Sequence, residues 1–290
     1  MAVSPAAMTP PRKSPRQAKA VVRQRPFLKW AGNKFRILEH ILPMLPDGER
    51  LVEPFTGSAA LFLNSDYDQY QLSDSNADLI GLYNILKQDG LTFIDYCAQY
   101  FVARNNQEKR YYRLREQFNA CDDPHQRAAL FIYLNRHGYN GLCRYNAGGG
   151  FNVPFGRYKR PYFPQKEMLA FHHRAQRAEF LLSDFEQTMQ QARTGDVIYC
   201  DPPYVPLSTS ANFTTYSAGG FSLDDQQHLA DLAQSCAQRN IPVLISNHNT
   251  AYTRKIYKQA TKNKRFKVQR YISCNGKKRN SAGEILALFK

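Results

Sequence analysis

A strand that runs directly into two prolines is the feature that most constrains how this chain can fold. Residues 196–204 read DVIYCDPPY, and their apolar, partly β-branched run predicts a buried strand. Proline cannot donate a hydrogen bond to a neighbouring strand, so the strand must end at this point. Asp201 and Tyr204 are therefore predicted to lie just beyond the strand, where open α/β sheets bind their ligands.

Strand–turn–helix units occur in series around this segment. The stretch RLVEPFTGSAALFLN (50–64) predicts a short strand, a glycine turn and the start of a helix. The stretch YQLSDSNADLIGLYNILK repeats the pattern, with a strand that ends at Asp74 and a helix with these apolar positions on one face: Leu79, Leu82, Tyr83 and Leu86. Further strands are predicted in IPVLISNH, KVQRYIS and EILALFK, the last two as an antiparallel pair. Such units in series predict an α/β fold in which helices cover a mostly parallel sheet.

The middle of the chain breaks this rhythm. It begins as a polar helix and continues as an aromatic, basic and glycine-rich segment, YLNRHGYNGLCRYNAGGGFNVPFGRYKRPYFP. We therefore expect an inserted second domain at 91–190 within an α/β domain made of 26–90 and 191–290. Residues 1–26 hold six Lys or Arg, five prolines and no acid, which predicts a disordered basic tail over 1–25.

The charge of the chain indicates its partner. The formal net charge is +15, and two further long stretches, Pro124–Lys166 and Leu232–Gly283, contain no acid. A surface of this kind predicts nucleic acid as the partner, with an anionic membrane surface as the weaker alternative. No apolar run reaches transmembrane length, and no obligate protein partner is evident. Six scattered cysteines without a C-x-x-C pair predict a reduced, cytoplasmic protein without a metal site.

Two glycine turns indicate a cofactor site. EPFTGSA (53–59) follows the first strand, and glycine lets the backbone turn sharply and approach a ligand closely. Asp74, at the end of the next strand, could accept from both hydroxyls of a ribose, while the G-x-G-x-x-G of a pyrophosphate site is absent. This pattern favours a nucleoside cofactor without phosphates, of which S-adenosyl-L-methionine is the common one. In KWAGNK (29–34), Trp30 is predicted to form a shelf for the cofactor and Lys34 to meet its carboxylate, although a tryptophan is more often part of the core.

Asp201, Pro202 and Tyr204 suit chemistry at the amino group of a base. Adenine N6 is a poor nucleophile because its lone pair is delocalised into the ring. The Asp201 carboxylate and the Pro202 carbonyl could accept its two protons and hold the lone pair ready to attack a sulfonium methyl. Tyr204 would stack on the base and clamp it. A turn whose prolines merely stop the strand is the plainer alternative.

Five segments, in this order, resemble the Dam-type DNA adenine-N6 methyltransferases: FLKWAG, EPFTG, YNGLCRYN, FNVPFGRYK and DPPY. The resemblance runs from about residue 26 to the C-terminus. It implies a Rossmann-like methyltransferase sheet with an inserted, mostly helical target-recognition domain and a β-hairpin. It also implies an enzyme that uses S-adenosyl-L-methionine to methylate adenine N6 in duplex GATC by base flipping. The chain departs from the family at Ala59, where a second glycine is usual, and at Asn33.

The resemblance implies roles for particular residues. Lys29 matches the lysine that reads the first guanine, and Arg144 matches the arginine that reads the guanine of the last base pair. Leu142 and Pro154 match positions that meet the thymine, although both could simply pack the hairpin. These residue types suit guanine O6 and N7 and the thymine methyl group. The predicted cofactor-binding residues are Trp30, Lys34, Glu53, Phe55, Gly57, Asp74 and Asp201.

Other hairpin residues complete the predicted DNA contacts. Tyr139 matches the aromatic residue that intercalates where the adenine leaves, and Asn140 lies beside it. Arg157 and Tyr158 are predicted to contact DNA from the same hairpin. Two aromatic residues are expected to pack inside the protein instead of binding DNA: Tyr145 and Phe151.

Several rival functions stay open at this point. Methylation of cytosine N4 poses the same chemical problem, and RNA adenine methyltransferases share related motifs without the recognition hairpin. Cytosine C5 methylation is disfavoured because no Pro-Cys pair occurs. A catalytically silent DNA-binding regulator is the rival of a different class, and degenerate FTG or DPPY segments would favour it. Both segments are intact.

Overall fold

Short apolar segments pair side by side into one mixed sheet. The computed structural model describes residues 23–206, 220–269 and 281–290. Its strands are β1 Arg50–Glu53, β2 Gln69–Asp74, β3 Ala178–Leu182, β4 Asp196–Cys200, β5 Val243–His248, β6 Lys262–Gln269 and β7 Ser281–Phe289. They pair in the order β3-β2-β1-β4-β5-β7-β6. β7 is antiparallel to both of its neighbours and the other pairs are parallel, which confirms the predicted Rossmann-like sheet and its antiparallel end pair.

Helices lie on both faces of this sheet. The α-helices of the described residues are α1 Leu38–Ile41, α2 Ala77–Ala98, α3 Glu108–Asn119, α4 Pro124–His137, α5 Gln165–Ala175, α6 Phe185–Gln190, α7 Leu223–Gln238 and α8 Ala251–Ile256. Short 3-10 turns lie at Lys34–Ile37, Leu42–Met44, Phe62–Asn64, Ala103–Asn105 and Tyr139–Gly141. The predicted apolar face of α2 is confirmed, since its four predicted core positions are all buried: Leu79, Leu82, Tyr83 and Leu86.

Alternating side chains of the central strands fill a core on each side of the sheet. Leu51 and Val197 belong to the larger core, whereas Val52 and Ile198 belong to the smaller one. Successive residues of a strand point to opposite faces, so strands that are apolar throughout need cover on both sides. All four side chains are fully buried, and burying a side chain of this size contributes about 1.5–3 kcal/mol.

The order of the strands brings three predicted segments to one edge. β1 lies between β2 and β4 and is parallel to both. The loops that follow these three strands therefore meet at the carboxyl edge of the sheet. They carry the glycine turn at 54–59, Asp74 and Asp201. The chain leaves β1 in one direction and returns beside it as β4, and open α/β sheets bind ligands at such a switch point.

The helix predicted to start after the first glycine turn is wrong. Residues 54–61 form turns, followed only by the 3-10 turn Phe62–Asn64. Ala59 has a φ of +57°, in the left-handed region, and a residue in that conformation cannot continue a right-handed helix. Hydrogen bonds fix this path, because Thr56 donates its N–H and its hydroxyl to the Ser73 carbonyl of β2.

The insert predicted at 91–190 overlaps the sheet at its C-terminal end. β3 and α6 lie within that range, and β3 pairs with β2 over five residue pairs. We therefore propose that the inserted part ends before Ala178. At the other end, α2 is interrupted at Gly90, whose φ is +49°. Residues 1–22 of the predicted basic tail lie outside the described residues. Within the described ranges, no helix is long and apolar enough to span a membrane.

Candidate active site and nucleic-acid interface

The Asp201 carboxylate follows β4 directly and is held through one of its oxygens. Lys34 Nζ lies 2.6 Å from Asp201 Oδ1, and Ser246 Oγ donates to the same oxygen at 3.0 Å. No group of the described residues donates to Oδ2. Burial raises the pKa of Asp201, and the Lys34 ammonium and the Ser246 hydroxyl act in the opposite direction. The site therefore presents one carboxylate oxygen as a free acceptor.

The Pro-Pro loop is fixed from two other elements. Gln226 Nε2 on α7 donates to the Pro203 carbonyl at 2.6 Å, and Asn247 Oδ1 on β5 accepts from the Val205 N–H at 3.0 Å. Asn247 Nδ2 also donates to Gln226 Oε1 at 2.9 Å, which links the two supports. The Pro202 carbonyl accepts no hydrogen bond from any part of the chain that the structure describes. It is thus a second acceptor beside Asp201 Oδ2.

Side chains hold the ring of Tyr204 in one orientation. Its hydroxyl donates to Glu284 Oε2 at 3.3 Å, and its ring meets that of His248 at a centroid distance of 4.6 Å and an interplanar angle of 76°. Lys34 Nζ lies 4.4 Å from the centroid of the Tyr204 ring. The structure therefore brings together three predicted site residues, Lys34, Asp201 and Tyr204.

Asp74 closes the glycine turn after β1. Its Oδ2 accepts from the Gly57 N–H at 3.0 Å and its Oδ1 from the Asn76 N–H at 3.0 Å. Gly57 has a φ of +48°, and a Cβ there would lie 2.9 Å from Trp30 Nε1, so two reasons require glycine. Burial raises the pKa of Asp74, while the backbone N–H groups lower it. The predicted residues Trp30, Gly57 and Asp74 thus form one continuous wall.

Glu53 is a buried carboxyl with an unused oxygen. It ends β1 and is 2% exposed, and its Oε1 has no hydrogen-bond partner among the described residues. Burial is the main cause that raises the pKa of Glu53, to about 8; the Phe62 N–H lowers it and the charge of Asp201 raises it. A buried acceptor without a partner is costly in an isolated protein, and a cationic ligand group would satisfy it.

Phe55 belongs to an aromatic cluster beside this turn. Its ring stacks on that of Phe185 at 5.5 Å and meets that of Phe221 edge-on at 5.6 Å. Phe185 begins α6, just after β3, and so extends the site toward the outer edge of the sheet. Phe185 was not predicted as a site residue, because nothing local to that segment indicates a site.

Lys29, Asn140 and Tyr158 form a second group, on the insert side. The Asn135 side chain accepts from the Lys29 N–H at 2.9 Å and donates to the Lys29 carbonyl at 2.7 Å. Lys29 Nζ lies 4.0 Å from the centroid of the Tyr158 ring, and the Tyr158 hydroxyl accepts from the Asn140 N–H at 3.0 Å. Burial, followed by the charge of Arg136, lowers the pKa of Lys29. Three of the predicted DNA-binding residues therefore lie in contact.

Residues 138–158 form the predicted recognition hairpin, which is short and carries Arg144 on its exposed side. Arg144 Nε donates to Asn152 Oδ1 at 2.7 Å, and the Asn152 N–H donates to the Arg144 carbonyl at 3.0 Å. Antiparallel bridges join Tyr145 to Phe151 next to the hairpin's turn and Gly138 to Phe155 at its open end. Phe151 is 2% exposed, and the half-buried Tyr145 donates its hydroxyl to Asp78 Oδ2 at 2.5 Å. The expectation that these two residues pack is confirmed.

The other predicted DNA contacts lie around the start and end of this hairpin. Tyr139 is 52% exposed and donates its N–H to the carbonyl of Pro154, which is also exposed. Leu142 is half-buried against the larger core. The Arg157 side chain is 79% exposed and lies 3.8 Å from Glu108 Oε1. Their contacts with DNA stay predictions.

A basic recess beside the hairpin was not predicted. It is lined by Arg104, Gln107, Lys109, Arg110 and Arg113. Asn106 connects it to the hairpin, since its side chain donates to the Tyr158 carbonyl at 2.8 Å. The charge count of the sequence indicated three other stretches, because Glu108 interrupts this one.

Comparison with known proteins places the chain in a family. The model of the D12 class of N6 adenine-specific DNA methyltransferases matches residues 30–272. A DNA adenine methylase of Salmonella typhi is 52% identical over 92% of this chain and 96% of its own length. One of Escherichia coli (strain K12) is 51% identical over the same shares. The solved structure of a precorrin 8w decarboxylase aligns with 89% of each chain at 8% identity and a TM-score of 0.34, a similarity too low to indicate a function. With its strand order, its carboxyl-edge site and these matches, the chain belongs to the D12 class of N6 adenine-specific DNA methyltransferases.

Proposed function

We propose that the protein transfers the methyl group of S-adenosyl-L-methionine to adenine N6 in duplex GATC, after flipping the adenine out of the helix. Membership of the family gives the coarser statement, methylation of adenine N6 in DNA. One observation carries the proposal: Asp201 is bound through Oδ1 by Lys34 and Ser246, while no group of the described residues donates to its Oδ2.

Two acceptors are what the amino group of adenine needs. Asp201 Oδ2 and the Pro202 carbonyl lie on one rigid loop, braced by Gln226 and Asn247. Hydrogen bonds from the two N6 protons to these acceptors would draw the nitrogen lone pair out of the ring and aim it at the methyl donor. As the new N–C bond forms, the S–C bond to the methyl group would break with the thioether as leaving group, and N6 would lose one of its two protons. Since the loop is held before the base arrives, little reorganisation remains in the transition state.

The residues around the glycine turn fit S-adenosyl-L-methionine. The Asp74 carboxylate accepts from the backbone N–H groups of Gly57 and Asn76, with that of Ser75 also acting on it, and its two oxygens offer about four lone-pair sites, so it keeps acceptor capacity for a ribose hydroxyl. Glu53 Oε1, buried and unpartnered within the described chain, suits the ammonium of the amino-acid part. The stacked rings of Phe55 and Phe185 offer an apolar surface to an adenine ring. When bound, the cofactor would supply an electrophilic sulfonium methyl.

Tyr204 and Tyr139 suit the two ends of base flipping. Tyr204 lies beside Asp201, and one face of its ring carries Lys34 at 4.4 Å. A base that stacks on Tyr204 would lie next to Asp201. Lys34, which contacts the Gly32 carbonyl and Asp201 Oδ1, keeps a third N–H for the cofactor carboxylate. Tyr139 is half exposed at 52%, so its ring is available to fill the space that the adenine leaves.

Lys29 and Arg144 support GATC as the sequence. Both carry donors that fit guanine O6 and N7, and both lie on the insert side of the molecule. Asn135 accepts from the Lys29 N–H, and the Asn152 N–H donates to the Arg144 carbonyl, so each long side chain starts from a fixed backbone. The relatives named as DNA adenine methylases share about half of all residues with this chain.

One experiment tests the proposal. Purified protein is incubated with S-adenosyl-L-methionine and a plasmid that lacks adenine methylation, and the DNA is digested with nucleases that distinguish methylated from unmethylated GATC. Sequencing of modified bases locates the methyl groups. We expect N6-methyladenine at GATC. A methyl group on cytosine, or on adenines outside GATC, would contradict the proposal, and no transfer at all would favour a silent DNA-binding protein.

A further inference from the structure

Ser246 lies in the middle of a buried hydrogen-bonded chain that ends on Asp201. It is on β5, next to β4, and is fully buried. The Tyr199 hydroxyl donates to Ser246 Oγ at 3.0 Å, and Ser246 Oγ lies 3.0 Å from Asp201 Oδ1. This series of hydrogen bonds therefore connects two strands through three side chains.

The direction of the Ser246 proton follows from the number of donors. A hydroxyl has one proton to donate and two lone pairs. Tyr199 occupies one of the lone pairs, and an ionised carboxylate is acceptor-only. Two other acceptors lie near Ser246 Oγ, the Cys200 carbonyl at 3.5 Å and the Tyr204 hydroxyl, but both are neutral and attract the proton less than the carboxylate does. The Ser246 proton therefore points at Asp201 Oδ1.

We propose that Ser246 is a positioning residue for methyl transfer: together with Lys34 it saturates Asp201 Oδ1, fixes the rotation of the carboxylate, and leaves Oδ2 turned toward the amino group of the flipped base. This inference rests on the proposed function of Asp201. Ser246 does not touch the base or the cofactor in this account. It acts through Asp201.

The same contact affects how easily Asp201 is protonated. The charged and titratable groups around it come from several elements: Lys34, Glu53, Tyr199, Tyr204 and Glu284. Burial raises the pKa of Asp201, and the Ser246 hydrogen bond opposes that shift. Removing the hydroxyl should therefore protonate Asp201 at higher pH, and a protonated carboxyl cannot accept from N6 in the same way.

Ser246→Ala tests the proposal, with Ser73→Ala as the matched control. Ser73 is also a fully buried serine on a central strand, but its Oγ has no hydrogen-bond partner in the described part of the chain. We expect kcat of Ser246→Ala to fall about tenfold or more, with KM for DNA and cofactor unchanged. The acid limb of its pH–rate profile should move to higher pH. Ser73→Ala should behave like wild type, and Ser246→Cys, which fills the space but donates weakly, should follow Ser246→Ala.

A measurement without substrate separates this proposal from the proposed function. The carboxyl carbon of Asp201 is titrated by NMR in ¹³C-labelled wild-type and Ser246→Ala protein, with Asp201→Asn to assign the signal. An upward shift of the pKa in Ser246→Ala supports the positioning role even if the methylated base proves not to be adenine in GATC. An unchanged titration, or an acid limb that does not move while kcat falls, overturns it.

Discussion

The carboxyl edge of the sheet and the recognition hairpin are built in opposite ways. At the edge, the Asp201 side chain is only 19% exposed and is held by Lys34 and Ser246, and the loop after it is braced by a linked pair of amides. On the hairpin, Arg144 is exposed and contacts only Asn152 among the described residues. Chemistry needs groups that are fixed before the substrate arrives, whereas sequence reading needs groups that can reach a base edge.

This contrast predicts different consequences for mutations in the two regions. Changes at the carboxyl edge should lower the rate of methyl transfer on every substrate or weaken the binding of the cofactor. Changes on the insert side should alter which DNA is bound and how strongly.

The largest effect is expected for Asp201→Ala. Losing a preorganised charged acceptor should lower kcat by about 10²–10³-fold or more, while DNA binding survives because the carboxylate does not meet phosphates. Single-turnover methylation and equilibrium DNA binding measure the two quantities. Asp231→Ala, at an exposed acid on α7, is the control and should leave both unchanged. Equal losses of rate and DNA affinity would contradict the assignment.

Glu53→Gln should lower the affinity for the cofactor by about ten- to a hundredfold, because it removes a charge-assisted contact with the cofactor ammonium. Calorimetric titration with the cofactor measures this loss. The control is Glu49→Gln, at an exposed acid before the other end of β1. A variant that binds the cofactor as tightly as wild type would place the ammonium elsewhere.

The same carboxyl should make the cofactor-free protein less stable as pH rises. Burial raises the pKa of folded Glu53 to about 8, whereas an exposed glutamate titrates at about 4.3. Its contribution is fully present below about pH 4 and is lost as pH rises toward 8. Thermal unfolding of Glu53→Gln should therefore show a shallower decline of Tm between pH 5 and 8. Parallel curves for the two proteins would argue against a strongly raised pKa.

The basic recess lined by Arg104 and the start of α3 should contribute to DNA affinity without reading sequence. Replacing Arg104 and Arg113 by alanine removes two exposed charges beside the hairpin. If each meets a phosphate, the slope of log affinity against log salt should fall by about 1 per residue, with equal losses on GATC and on other DNA. Arg193→Ala, at an exposed arginine before the amino end of β4, should keep the wild-type slope. A loss confined to GATC would assign the recess a different role.

The smallest effect is expected for Ala59→Gly. Alanine at a φ of +57° carries a left-handed strain of about 1–2 kcal/mol, which glycine lacks, while glycine costs about 0.5–1 kcal/mol in conformational entropy. The variant should thus be slightly more stable, by about 1 kcal/mol or less. Urea unfolding compares it with Ala60→Gly, where φ is not positive and the entropy cost should dominate. A destabilised Ala59→Gly would show that the loop tolerates alanine without strain.

What the sequence predicts depends on how local the cause is. The ends of β2 and β4 follow from runs of apolar residues, one that stops at Asp74 and one that stops just before two prolines. Both strand ends lie where the pattern indicates. The prediction of a helix after Gly57 was wrong because hydrogen bonds from Thr56 to β2 set the path of that turn.

The supports of the site were missed for a related reason. Ser246 reaches Asp201 only because β5 pairs with β4 in one register, and Asn135 holds Lys29 across 106 positions of sequence. No local pattern contains such pairings. The polar Ser-Asn pair at the end of an otherwise apolar strand, in IPVLISNH, was the signal that could have indicated the support for the loop.

The most direct test of the division between the two regions is a substrate matrix for Arg144→Ala and Asp201→Ala. The quantity is kcat/KM on duplexes that contain GATC and on the three substitutions at each outer base pair. We expect Asp201→Ala to lower all values by the same factor, and Arg144→Ala to collapse the discrimination at one outer pair by about 1–3 kcal/mol. A uniform loss for Arg144→Ala, with unchanged ratios between substrates, would assign it to the DNA backbone and contradict the account.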